Sequence, residues 1–203
     1  MIGTNIETPQ RKRRRCVLSN LRGWLFHLLA VGIASAFLGP SCLHAQRSNP
    51  GEYEVKAAYI YDFGKFVAWP AKVAPADDFP ICVLGEDPFG ATFDATIAGE
   101  TINGKKVVVN RIAKPQEAVS CRILFISGSE ESQLKEILAT LDKTSVLTVS
   151  DISQFTRRGG MIQFVTDANR VRFEVNVTTA ERAGLTLSSQ LLKVAINVRK
   201  TGD

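Results

Sequence analysis

Apolar positions along this chain fall into runs of different period, and each period predicts an element. Tyr53, Ala57, Ile60, Tyr61, Gly64, Val67 and Ala68 recur at helical spacing, so residues 53–68 read as an amphipathic helix that Pro70 stops. Phe63 and Phe66 lie off that stripe and widen its apolar face. A face this wide packs on two sides or meets a partner, and Tyr59, Phe63 and Phe66 are its partner-surface candidates. Short continuous apolar runs follow. Residues 79–85 and 121–127 read as buried strands, and residues 105–112 and 145–149 as further strands. Helical stretches separate them. Asp87 is placed to cap a helix beginning at Pro88 and ending near Gly99. Residues 115–119 form a helical turn. Ser129, Glu130 and Glu131 open a helix whose stripe is Leu134, Ile137, Leu138 and Leu141. Ser150 and Asp151 cap a short helix through Phe155.

Later in the chain, residues 161–165 and 171–175 read as an antiparallel hairpin with a five-residue connection, 166–170. Residues 178–183 form a helix stopped by Gly184, and Ser188 caps a last helix over 189–198. Strands alternating with helices predict an α/β fold. It is a single-domain three-layer α/β/α sandwich, with a mostly parallel sheet and an antiparallel edge hairpin.

The first 45 residues follow another pattern. Residues 11–15 read RKRRR, and residues 23–38 form an apolar run whose only strongly polar residue is His27. A basic flank, a short apolar core and a small-residue exit near 40–45 are the layout of a secretory signal peptide ending at Ala45. The apolar run is shorter than the roughly 20 residues of a membrane span. Two alternatives keep the chain at a membrane: lipidation at Cys42, or an uncleaved N-terminal segment. The domain plan is a signal peptide over 1–45, a polar lead-in over 46–52 and one α/β domain over 53–200. Residues 1–45 hold six of the 25 Lys+Arg and one of the 20 Asp+Glu, so 19 of each remain and the net charge of +5 disappears. A nucleic-acid partner inferred from that charge would be an error.

Removal of the leader also empties the catalytic inventory. No histidine follows His44, so the commonest general base and metal ligand are gone. There is no G-x-S-x-G elbow, no phosphate loop and no C-x-x-C. The reading is of a protein that is not an enzyme and needs no metal or cofactor. Cys82 and Cys121 remain, an even pair in an oxidising compartment. They are either bridged or two buried free thiols.

One polar constellation stands out. Arg170, Arg172, Glu174 and Asn176 alternate with Val171, Phe173, Val175 and Val177, which puts the four polar groups on one face of a strand. They form either a solvated edge strand or a polar ligand or partner site. In the second reading Arg172, Glu174 and Asn176 act with Ser188 and Ser189.

Seven segments carry a resemblance: EYEVKAAYIYDFGKFVAWP (52–70), ICVLGEDPFG (81–90), CRILFIS (121–127), VLTVSD (146–151), GGMIQFV (159–165), VRFEVN (171–176) and AGLTLSSQLLKVA (183–195). In order and spacing they resemble the YfiR family of periplasmic regulators, over nearly all of the exported chain. The resemblance implies a repressor of an inner-membrane diguanylate cyclase of the YfiN type, lowering cyclic-di-GMP and biofilm output. It implies relief by a sequestering outer-membrane lipoprotein of the YfiB type, and a homodimer. It implies a disulfide between Cys82 and Cys121. Thr156 and Gln163 stand where some members carry a second cysteine pair, so that bridge is absent. The alternative function is a periplasmic small-ligand sensor feeding another signalling partner.

Overall fold

The computed structural model describes residues 50–71 and 77–200. The predicted signal peptide, with Cys16, Cys42 and both histidines, lies outside the described residues.

Helix α1 (Pro50–Phe66) opens the domain, so the last residues of the predicted lead-in are already helical. Strand β1 (Val67–Ala68) ends the helix two residues before the predicted boundary. Next come β2 (Asp78–Leu84), α2 (Ala91–Ile97), β3 (Thr101–Ile102) and β4 (Lys105–Ile112). A 3-10 turn over Pro115–Ser120 leads to β5 (Ile123–Ile126). A second, Gly128–Gln133, leads into α3 (Leu134–Thr140). Then follow β6 (Leu147–Ser150), β7 (Ile162–Asp167), β8 (Arg170–Asn176), α4 (Val177–Arg182), β9 (Thr186–Leu187), α5 (Ser189–Val194) and β10 (Asn197–Arg199).

Eight strands form one sheet in the order β10-β8-β7-β6-β5-β2-β4-β3, and β1 pairs β9 in a two-stranded ribbon. The pairs β10/β8, β7/β6, β6/β5, β5/β2 and β2/β4 are parallel; β7/β8 and β3/β4 are antiparallel. The central strands bury both faces, as their continuous apolar runs require. Ile81, Val83, Ile123, Phe125, Leu147 and Val149 face one core with α1 and α2. Cys82, Leu84, Leu124 and Ile126 face the other with Leu134, Ile137, Leu141 and Phe155. Two cores on one sheet give the predicted three layers.

Four local expectations are corrected. Asp87 caps no helix. Its side chain accepts from the Phe89 N–H at 2.8 Å, and α2 starts at Ala91. The hairpin connection is Ala168–Asn169, both with positive φ (46° and 59°), so Thr166, Asp167 and Arg170 extend the ladder. The segment after Ser150 forms turns in place of a helix: Ser150 Oγ accepts from the Ile152 N–H and donates to the Ile126 carbonyl. The last helix stops at Val194, and β10 follows, so the hairpin lies one strand in from the edge. An extended pairing of Asn197–Arg199 with Glu174–Asn176 satisfies backbone groups that a longer helix would leave on β8.

Cys82 and Cys121 are joined, with Cα atoms 5.9 Å apart, tying β2 to the entry of β5. Gly64 sets how closely α1 approaches the sheet. A Cβ there would stand 2.5 Å from Ile102 Cδ1 and 3.2 Å from the Phe79 ring.

Candidate functional site

The residues able to bind or signal gather around α1 and the β7–β8 hairpin. Lys56 lies on α1 where Glu52 is one turn back. It is 4% exposed. Its Nζ donates to Asp151 Oδ2 and contacts Glu52 Oε1, each at 2.7 Å, and stands 4.3 Å from the Tyr53 ring centroid. The Tyr53 hydroxyl donates to the same Asp151 oxygen at 3.2 Å. Asp151 directly follows β6, so the cluster fastens α1 to the carboxyl end of the sheet's middle. Burial opposes the charge on Lys56, but its hydrogen bonds to Asp151 and Glu52 outweigh that and hold its pKa above the ordinary lysine value. Burial, and then the Asp151 charge, push the Tyr53 phenol up as well.

On β8 the alternation predicted from sequence is present, and Phe173 and Val175 point into the α1 core. The opposite face carries a polar network. Glu174 Oε2 accepts from the Thr156 hydroxyl at 3.3 Å. Gln163 Oε1 accepts from the Thr156 N–H at 3.3 Å. Asn176 Nδ2 donates to the Thr156 carbonyl at 2.9 Å, and its Oδ1 accepts from the Thr179 N–H at 3.0 Å, capping α4. Thr156 and Gln163 are thus held together by a hydrogen bond. Glu174 and Asn176 anchor the 151–160 turns to the sheet.

Ser188 and Ser189 do not join this face. Ser188 Oγ accepts from the Leu191 N–H at 3.2 Å and caps α5, whose Leu191 enters the α1 core. The five-residue polar site expected from sequence is therefore divided between the two sides of the sheet.

Two grooves flank α1. Gly51, Glu52, Val55 and Tyr59 face the hairpin residues Thr166, Asn169, Arg170, Val171 and Arg172 across about 670 Å³. On its other flank, Tyr59, Phe63, Phe66, Phe173, Leu191 and Val194 border a mostly apolar groove of about 290 Å³. Of the three partner-surface candidates, Tyr59 and Phe66 are half-buried. Phe63 is 1% exposed and stacks on Phe164 at 5.8 Å, so it is core rather than surface. Val194 (56%) and Ile196 (42%) are exposed apolar residues that sequence reasoning passed over, because both fell inside the predicted terminal helix. Lys56, Tyr53 and Asp151 were also missed; the i,i+4 spacing of Glu52 and Lys56 was the readable signal.

Among the described residues no three His, Cys, Asp or Glu side chains gather as a metal group, and no helix is long and apolar enough to cross a membrane. The described residues form a disulfide-tied α/β domain whose polar residues brace loops and flank open grooves. The YfiR/HmsC-like family model matches residues 53–196, and the chain belongs to that family. The family is one of periplasmic regulatory proteins that signal through a protein partner. A crystal structure of a conserved domain protein from Vibrio cholerae is similar in fold, with a TM-score of 0.52 and 14% identity, over 72% of this chain and 60% of that one. The ABC domain from Streptococcus pneumoniae, solved in complex with L-Trp, gives a TM-score of 0.47 and 13% identity, over 70% of this chain and 60% of that one. The chain thus spans 60% of the length of both structures.

Proposed function

We propose that the exported protein represses an inner-membrane diguanylate cyclase of the YfiN type, lowering cyclic-di-GMP and biofilm output. The supporting observation is a family match that runs through almost the whole α/β domain, 53–196. A repressor needs surface rather than catalysis. It biases a membrane enzyme toward its inactive arrangement only through a difference in affinity for the enzyme's two states. An outer-membrane lipoprotein of the YfiB type relieves repression by sequestering the repressor, a shift by mass action. The repressor works as a homodimer, free in the periplasm after cleavage near Ala45; tethering through Cys42 or an uncleaved leader would hold the same domain at a membrane. The test is cross-linking in cells. A tagged, exported copy is expected to trap the cyclase through its periplasmic part, and the lipoprotein in competition with it. Trapping of neither partner in a strain that encodes both would refute the reading.

A second reading is a small-ligand sensor, favoured by the groove between α1 and α5 with its aromatic wall. Melting-temperature shifts across nucleotides and amino acids test it. A flat response removes it.

A further inference from the structure

The edge of the sheet beside α1 is unfinished. Strand β10 covers β8 only over Glu174–Asn176, and Ile196 donates its N–H to the Phe173 carbonyl at 3.0 Å. The Asn176 N–H points the other way, to Met161. Odd-numbered residues of β8 therefore turn their backbone outward. Val171 is the next odd position, and among the described residues no strand pairs with the outer edge of β8 at Arg170–Arg172. This open edge forms one wall of the 670 Å³ groove, and α1 forms the other. Val55, 43% exposed, gives that wall an apolar side.

Arg170 and Arg172 form no ion pair among the described residues. Two acids are near. Glu52 lies 2.7 Å from Lys56, which it shares with Asp151. Asp167 sits opposite Arg170 in the hairpin register, with no side-chain ion pair between the two among the described residues. The opening thus offers backbone hydrogen bonds, an apolar side and two unspent guanidinium groups.

We infer that this groove is the docking site for an extended, acidic segment of a protein partner, which adds a short strand to β8 beside β10. Main-chain pairing supplies the hold, and alternate acidic side chains reach Arg170 and Arg172. The inference deepens the regulator reading and rests on it for the partner's being a protein.

The probe is a fluorescein-labelled hexapeptide of alternating Glu and Val, followed by anisotropy with the periplasmic form of the protein. It is expected to bind, and more weakly as salt rises. Arg170→Ser with Arg172→Ser is expected to weaken it roughly tenfold. Methylating the peptide's backbone nitrogens on the strand-pairing side is expected to weaken it as well. The inference is overturned by no binding, by equal binding of a Lys–Val peptide, or by indifference to the arginine changes. A wild-type dimer that the double substitution splits into monomers would also overturn it, because the occupant would then be a second copy. In cells, a double variant that lowers cyclic-di-GMP as fully as wild type sinks this inference alone. Peptide binding without any effect of the protein on cyclic-di-GMP sinks the regulator reading alone.

Discussion

Removing Asp151 is expected to harm the protein more than removing Lys56, although both changes break the same ion pair. Asp151→Ala leaves the Lys56 ammonium, whose side chain is 5% exposed, without its second carboxylate, and leaves the Tyr53 hydroxyl without its acceptor. Stranding one partner of a fully buried pair costs about 3–5 kcal/mol. Glu52 stays at 2.7 Å and softens the loss, so the cost here is about 2–3 kcal/mol. Lys56→Met leaves two carboxylates whose side chains are 32% and 21% exposed. Water reaches both, and the methionine keeps the apolar stem packed, so the cost is about 1 kcal/mol. For a domain of this size each kcal/mol moves Tm by about 2–4 °C. Thermal melts at pH 7 should therefore show a drop of about 4–12 °C for Asp151→Ala and about 2–4 °C for Lys56→Met. Equal drops, or the reverse order, would refute the claim that Lys56 is the buried member held by the other two.

The same lysine gives a pH dependence. Its folded pKa is raised, so its contribution is complete below the unfolded value of about 10.4 and is lost as pH rises through the folded one; melts toward pH 11 should bring wild type down toward Lys56→Met, and parallel curves would contradict this. The Cys82–Cys121 bridge closes a sequence separation of 39 residues. In the chain-entropy model that is roughly 4 kcal/mol, so Cys82→Ser with Cys121→Ser should lower Tm by about 8–16 °C, and an unchanged melt would count against it. Asn176→Ala removes both the α4 cap and the bond to the Thr156 carbonyl. Its expected cost is about 1–2 kcal/mol, with faster amide exchange at Thr179, whereas Asn176→Asp should keep that amide protected. Gly64→Ala pushes a methyl against Ile102 and should cost about 1–3 kcal/mol by overpacking; a neutral melt would show that α1 can lift freely.

Periodicity made the sheet legible. Residues 79–84 and 123–126 are apolar at every position because both faces of β2 and β5 are covered, and that can be read locally. The caps at Ser188 and the stop at Gly184 were likewise local chemistry. Partners far apart in sequence were not legible. Lys56 and Asp151 stand 95 residues apart, and only the path of the sheet brings them together. The same limit explains the divided polar site. Alternation placed Arg172, Glu174 and Asn176 on one face correctly, but it carries no information about which side of the sheet α5 and its Ser188 will occupy. Strand β10 escaped notice because Leu191, Leu192, Ala195 and Val198 suit a helix. The pairing that pulls residues 197–199 into the sheet is supplied by β8.

The central claim is that this exported domain holds a cyclase in check. It is tested most directly by intracellular cyclic-di-GMP in a strain lacking the gene, complemented with either the full chain or a leaderless one. The account predicts a rise on deletion, reversed by the full chain and left in place by the leaderless one. Cyclic-di-GMP that stays at the wild-type level on deletion, in cells that carry the cyclase, would contradict it.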